Sequence, residues 1–196
     1  MTTMTKEKLI EAALSIYAEH GYKGTTMKKI ADAVGIKAAS IYFFYPNKEA
    51  LLRGVFQKIL ENHREELQKT FEQVKELPVQ KSLTQLIIGV AHYHRNDITG
   101  AKAYIQLMTS GRAEFKLEFS EYVNNFEEWL LKNYLDALVV MFPNATEKEI
   151  RNCILQVELI ANGLFWSTIV YTGEAFQQQM QVAEELLVVL INQLHR

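Results

Sequence analysis

Apolar residues recur along this chain at intervals of three and four. Between Lys6 and His20 they fall at Leu9, Ile10, Ala13, Leu14, Ile16 and Tyr17, which predicts an amphipathic helix ended by Gly21. Thr25 or Thr26 is placed to cap a second helix, Met27 to Val34, which Gly35 closes. A short segment, Lys37 to Tyr45, precedes Pro46-Asn47, and Asn47 predicts the start of a long helix reaching about Leu77, before Pro78. Further helices are expected at roughly 79–95, 98–110, 114–142, 146–171 and 174–195. Asn96-Asp97, Gly100, Gly111, Pro143-Asn144 and Gly173 punctuate them. The pattern predicts an all-α fold of about nine helices: a three-helix headpiece followed by a larger helical bundle.

Within the headpiece, Ala31, Gly35 and Ile41 have the spacing of a helix-turn-helix. A small residue lets two helices cross closely, a glycine four residues later reverses the chain through φ > 0, and an isoleucine six residues on plugs the second helix into the first. Ile30, Val34 and Ile36, with Leu9, Ala13 and Ile16, complete a small core. The same three positions also fit an αα-hairpin with no nucleic-acid role. The flanks favour DNA, because Thr25, Thr26, Lys28, Lys37, Ser40, Tyr42 and Lys48 are expected to be exposed and able to offer a phosphate a hydrogen bond or a positive charge.

Three stretches carry a family resemblance: Gly21-Tyr22-Lys23-Gly24-Thr25-Thr26-Met27-Lys28-Lys29-Ile30-Ala31, then Val34-Gly35-Ile36, then Ser40-Ile41-Tyr42-Phe43-Phe44-Tyr45-Pro46-Asn47-Lys48-Glu49-Ala50-Leu51. Together they resemble the N-terminal domain of the TetR (tetracycline-repressor-like) family over about residues 6–55, a quarter of the chain. The resemblance implies phosphate contacts from Thr25 or Thr26, Tyr42 and Lys48. It implies a major-groove surface made of Lys37, Ala38, Ala39, Ser40 and Phe43. The chain departs from the family pattern where Lys37 replaces a small hydroxyl residue and Ala38 replaces a lysine or arginine. Phe43-Phe44-Tyr45 also replaces an order in which an aromatic follows a histidine. Alanines reach only thymine methyls, so Lys37 becomes the candidate for a guanine edge.

The resemblance also implies two roles for the body of the chain. Residues 1–47 are expected to form the DNA-binding domain and 48–196 an effector-binding and dimerisation domain. A stripe of Phe115, Phe119, Tyr122, Phe126, Leu130, Asn133 and Ala137 has helical spacing and reads as core. The family hollows out this region for a small effector, and Tyr93, Tyr104, Met108, Tyr122, Phe126, Trp129 and Trp166 are the candidates to line it. Near the end of the sequence, Ile150, Cys153, Ile154, Val157, Ala161, Leu164 and Thr168 form one stripe, and Ala183, Leu186, Leu187, Leu190, Ile191 and Leu194 another. Either the two helices pack inward or, as the resemblance implies, they pair with their copies in a two-fold dimer.

Composition sharpens this picture at a few points. The chain of 196 residues carries a net charge of −2, which looks wrong for a DNA binder. The charge is unevenly placed, however: residues 1–64 hold ten Lys/Arg against six Asp/Glu, and the remainder eleven against seventeen. The lone cysteine, Cys153, excludes an internal disulfide and reads as a small buried hydrophobe. The first residues lack the apolar run of a secretory signal, and no stretch holds about 18 consecutive apolar residues, so the protein is expected in the cytoplasm with no membrane partner. No nucleotide-loop, nucleophile-elbow or His-Glu-x-x-His pattern occurs. His92 and His94, two apart on a helix, point to different faces, and His20, His63 and His195 stand alone. No catalytic residue, metal or cofactor is expected. The expected function is a repressor that binds a palindromic operator in double-stranded DNA as a homodimer and is released by a small apolar effector. The alternatives are a small-molecule-binding or enzymatic α-bundle with a vestigial headpiece, and an activator or partner-binding regulator with no small ligand.

Overall fold

Every regular element among the described residues is helical. The computed structural model describes residues 2–109 and 113–195. In chain order the helices are α1 (Thr2–Gly24), α2 (Met27–Val34), α3 (Ala38–Ile41), α4 (Lys48–Val74), α5 (Val79–Asn96), α6 (Ile98–Thr109), α7 (Ala113–Met141), α8 (Glu147–Val170) and α9 (Gly173–Asn192). A single 3-10 turn, Gln193–His195, follows. The expected elements are present, with boundaries moved by a few residues. The largest difference is α1, which starts four residues before Lys6. Gly21 does interrupt it, at φ 61° and ψ −169°, although the helical path resumes up to Gly24. The expected break at Gly111 lies outside the described residues.

The chain divides into two compact units, residues 1–63 with 97–119, and residues 64–96 with 120–196. In the first, α1 packs on α2 and α6, and α2 on α3. Leu9, Ala13 and Tyr17 of α1, Ile30 and Ala31 of α2, Ile41 of α3 and Leu51, Leu52, Val55 and Phe56 of α4 form its buried core. In the second unit, α5, α8 and α9 pack on one another. Their core includes Leu83, Leu86 and Ile87 of α5, Leu130, Tyr134 and Leu138 of α7, Ile150, Ile154 and Val157 of α8, and Leu187 and Ile191 of α9.

Several side chains fix where helices begin. Asn47 Oδ1 accepts from the Ala50 amide at 2.8 Å and starts α4. Thr146 and Glu149 form a reciprocal capping box at the head of α8. At the other end of α8, the Arg95 guanidinium of α5 donates to the Thr168 carbonyl at 2.9 Å and the Tyr171 carbonyl at 3.0 Å. It also lies 5.0 Å from the Phe176 ring centre, so one cation holds the α8–α9 corner.

The stripe expected along α7 is rotated in its second half. Leu130 is buried as expected, but Ala137 is exposed, while Leu131, Tyr134 and Leu138 face the core. These larger side chains remove more apolar area from water than an alanine methyl, and they decide the orientation. The side chains of Phe115 and Phe119 lie outside the described ones.

Candidate nucleic-acid interface

Thr26 opens α2 in an extended conformation, and its hydroxyl accepts from the Lys29 amide at 3.2 Å. Gly35 closes α2 at φ 76°, ψ 29°, its amide reaching back to the Ala31 and Asp32 carbonyls while the Ile36 amide donates to Ala31 O at 3.0 Å. A Cβ on Gly35 would meet nothing within 4 Å, so it is the left-handed backbone rather than crowding that calls for glycine there. The chain then enters α3, a single helical turn. Lys37 precedes it with no side-chain cap hydrogen bond, as expected of a lysine standing where a hydroxyl residue would cap.

Ile41 anchors α3 at 0% exposure, with Ala31 and Ile30 equally buried beneath it. The opposite surface of the turn is open: Lys37, Ala38 and Ala39 are exposed, Ser40 is partly so, Tyr42 is 54% exposed and Phe43 88%. Lys28 is exposed on α2 as well. A phenylalanine this exposed gains almost nothing from burial in its own fold.

Two residues of the expected interface sit differently. Thr25 is fully buried, and its hydroxyl donates to the Gly21 carbonyl at 2.7 Å, closing the interrupted end of α1. Thr26, not Thr25, presents the exposed hydroxyl. Lys48 is half-buried, donates to the Tyr22 carbonyl at 2.8 Å and lies 3.5 Å above the Tyr22 ring. Tyr22 in turn donates its hydroxyl to the Glu49 carboxylate. Residues 21–25 and the head of α4 are thereby tied together on the side of α2 that carries Thr26.

The headpiece matches the model of "Bacterial regulatory proteins, tetR family" over residues 9–55. The likeness to that family lies in the headpiece and covers under half of the chain. Residues 9–55 include Ala31, Gly35 and Ile41, whose expected geometry is the one found. The chain is 46% identical over 48 residues to IcaR of Staphylococcus epidermidis, named a negative transcriptional regulator of a biofilm operon; the match covers 24% of this chain and 26% of IcaR. It is 25% identical over 96 residues to YttP of Bacillus subtilis, named an HTH-type transcriptional regulator, covering 49% and 46% of the two chains. The matches span less than half the length of these curated relatives. The fold extends further: a solved structure from Pseudomonas aeruginosa PAO1, described as a transcriptional regulator, superposes over 100% of this chain and 94% of its own at a TM-score of 0.81 and 17% identity.

Beyond residues 9–55, the residues expected to line an effector site fall in both units. Tyr104 is part-buried in the first unit, and the Met108 side chain lies outside the described ones. In the second unit, Tyr93 and Tyr122 are neighbours: burial pushes the Tyr122 hydroxyl pKa well up, Arg64 pulls it back, and Tyr93 raises it further. Phe126 is half-buried on the same helix. Trp129 meets Phe71 edge to face at 5.1 Å, and Phe71 meets Tyr134 at 5.8 Å, a packed ring cluster. Trp166 is 51% exposed, on the outside of α8 instead of the interior.

The end helices are also divided differently from expectation. Ile150, Cys153, Ile154, Val157, Leu164 and Thr168 do turn inward, as do Ala183, Leu187 and Ile191. Burial pushes the Cys153 thiol up to about 11, which leaves it a neutral core residue. A second apolar stripe remains uncovered on each helix: Leu155, Leu159, Trp166 and Val170 on α8, and Val182, Leu186 and Val189 on α9. Leu159 is 72% exposed, and Gly163, between it and Trp166, has open space where a Cβ would stand. Although no run of uninterrupted apolar residues marks it, α8 has a mean hydropathy of 1.5 in its most apolar window, long and apolar enough by composition to cross a membrane; 33% of that window is buried in the protein. Glu158 stands in the middle of the helix. Among the described residues no His, Cys, Asp and Glu cluster fit for a metal ion occurs.

Proposed function

We infer that this protein is a transcriptional regulator, and in particular a repressor that reads a palindromic operator as a homodimer. The observation that carries the reading is the surface of α3, where Lys37, Tyr42 and an 88% exposed Phe43 surround a turn pinned from below by Ile41. Residues 1–47 supply the reading head. Lys37, Ala38, Ala39, Ser40 and Phe43 face base edges, while Thr26, Lys28, Tyr42 and Lys48 take phosphates. Repression is carried over from IcaR, whose name describes a negative regulator.

Residues 48–196 supply dimerisation and the switch. The uncovered stripes of α8 and α9 are apolar, lie on two helices that pack together and suit an isologous pairing with a second copy. A two-fold dimer sets two reading heads at a fixed spacing, which a palindrome demands. Tyr93, Tyr122 and Phe126 give the second unit an aromatic region with hydroxyl tips, suited to a neutral or weakly charged apolar effector. Such a ligand releases DNA only by preferring the DNA-incompetent state. A shift from 1:99 to 99:1 takes about 5.5 kcal/mol, and operator must weaken the effector by the same factor in return. In this reading the protein works on DNA in the cytoplasm and catalyses no reaction.

Selection of bound fragments from a random DNA pool tests the function directly. A two-fold symmetric consensus is the expected result. If no sequence is enriched, the headpiece is vestigial and the α-bundle reading takes its place.

A further inference from the structure

The head of α4 and the first half of α1 enclose a groove of about 440 Å³, within the size range of small-molecule sites. Ile10, Ala50 and Gly54 form its apolar side, and Lys6, Lys58 and Glu61 contribute charge. Tyr45 lines it too, at 6% exposure, and among the described residues its buried hydroxyl has no hydrogen-bond partner. A phenylalanine at position 45 would fill the same space without stranding a polar atom. A stranded hydroxyl calls for an explanation, and an acceptor brought by a ligand is one.

The walls around that hydroxyl fit this role. A Cβ on Gly54 would stand 3.4 Å from the Tyr45 hydroxyl oxygen and 3.5 Å from Ile10 Cδ1, at ordinary contact distance, so the glycine leaves a methyl-sized space beside the hydroxyl. The Lys6 ammonium lies 5.6 Å from the centre of the Tyr45 ring, at the end of an exposed and flexible side chain. Other charges in the lining are already engaged: Arg53 with Glu118 at 3.2 Å, and Glu49 with the Tyr22 hydroxyl. Among the described residues Lys6 and Lys58 have no ion-pair partner, and Glu61 is the remaining carboxylate. Two unpaired cations facing one carboxylate favour a single negative charge.

We propose that this groove is a binding site for a small monocarboxylate with an apolar or aromatic body. The carboxylate accepts the Tyr45 hydroxyl proton in a hydrogen bond and faces the Lys6 ammonium, and the body lies on Ile10, Ala50 and Gly54. The ligand bridges α1 and α4 within the first unit, and none of its contacts is with Tyr93 or Tyr122. The proposal does not depend on the protein being a repressor.

The test uses the full chain with labelled isoleucine and alanine methyl groups, titrated with phenylacetate and, separately, with inorganic phosphate. Phenylacetate is expected to shift the Ile10 and Ala50 methyl signals saturably at millimolar concentration, and phosphate is not. Tyr45→Phe should weaken phenylacetate about tenfold, the loss of a hydrogen bond to a charged group, while leaving the thermal midpoint unchanged or higher. Lys6→Gln should weaken it too, and Gly54→Ala, which takes up space beside the hydroxyl, should weaken it further. Absence of a saturable shift at tens of millimolar overturns the proposal. So does undiminished binding by Tyr45→Phe, and phosphate binding as well as phenylacetate overturns the assigned ligand class.

Discussion

The side-chain amide of Gln106 on α6 donates a 2.8 Å hydrogen bond to the carbonyl of Ala18, near the interrupted end of α1. Its oxygen stands 3.0 Å from where a Cβ on Gly21 would be, at a position whose φ of 61° already disfavours any other residue. A residue more than eighty positions away thus secures the stretch that leads into α2. Gln106→Ala should remove one net hydrogen bond, about 1 kcal/mol, and speed amide exchange over residues 18–25 about fivefold. Gly21→Ala should cost more, because the backbone is incompatible as well as the space. Exchange rates in the two variants that match the native protein would leave the contact without energetic weight.

On the headpiece surface, position should separate folding from reading. Phe43→Ala and Lys37→Ala are expected to leave the thermal midpoint within about 1 °C, since surface changes alter stability by under ~0.5 kcal/mol. Phe43→Ala should reduce operator affinity, and Lys37→Ala should change the base preferred at one symmetric position. Thr25→Val acts in the opposite sense: it removes the buried bond to Gly21 O and lowers stability by about 1 kcal/mol, with any loss of DNA binding following from that. Paired melting and binding curves for the three variants check the separation.

On the end helices, Leu159→Glu or Leu186→Glu places a charge on an uncovered stripe and should yield helical monomers with weak operator binding. Leu187→Glu buries the charge inside the protomer, where Leu187 is 0% exposed, and should prevent folding. The dimer interface should exceed ~1,200 Å². Light scattering of the native protein at micromolar concentration distinguishes the outcomes, and a native monomer contradicts the dimer.

His94 predicts an acid-sensitive second unit. Burial lowers its pKa from 6.5 to about 4, in a setting where its ring meets Tyr93 at 5.2 Å and Phe165 at 4.9 Å. Between those values the unfolded chain binds a proton that the folded one refuses. The contribution is therefore fully present above pH 6.5 and lost as pH falls toward 4, amounting to roughly 3 kcal/mol. His94→Phe should flatten the stability slope across that window relative to the native protein. A native-minus-variant difference that stays constant from pH 7 to pH 4 would count against it.

Much of the headpiece was legible because its constraints are local. Gly35, Ile41 and the Asn47 cap act within a few residues of where they stand, and all three behave as their spacing implies. Spacing leaves the cap open between Thr25 and Thr26 and treats both as exposed; Thr26 is the cap, and Thr25 is buried by its bond to the Gly21 carbonyl, which local pattern does not reveal. The capping box of Thr146 and Glu149 was present in the sequence as Thr-x-x-Glu, a signal that fixes the head of α8 more sharply than periodicity does. The end helices were harder. Each carries apolar residues on two faces, and spacing alone does not say which face the protomer covers and which it leaves for another chain. Trp166 illustrates this, since a tryptophan reads as interior until its neighbours Leu159 and Val170 prove to be exposed beside it.

The brevity of α3 bears on how such a protein changes over time. Of its four residues only Ile41 is bound into the interior, while Ala38 and Ala39 are exposed and Lys37 makes no capping bond. Mutations at those outward positions meet almost no selection from stability. Under the proposed function, a duplicated gene can therefore drift to a new operator one residue at a time, each intermediate folding as well as its parent. Divergence of target genes is then limited by the promoter sequences on offer, with foldability hardly entering.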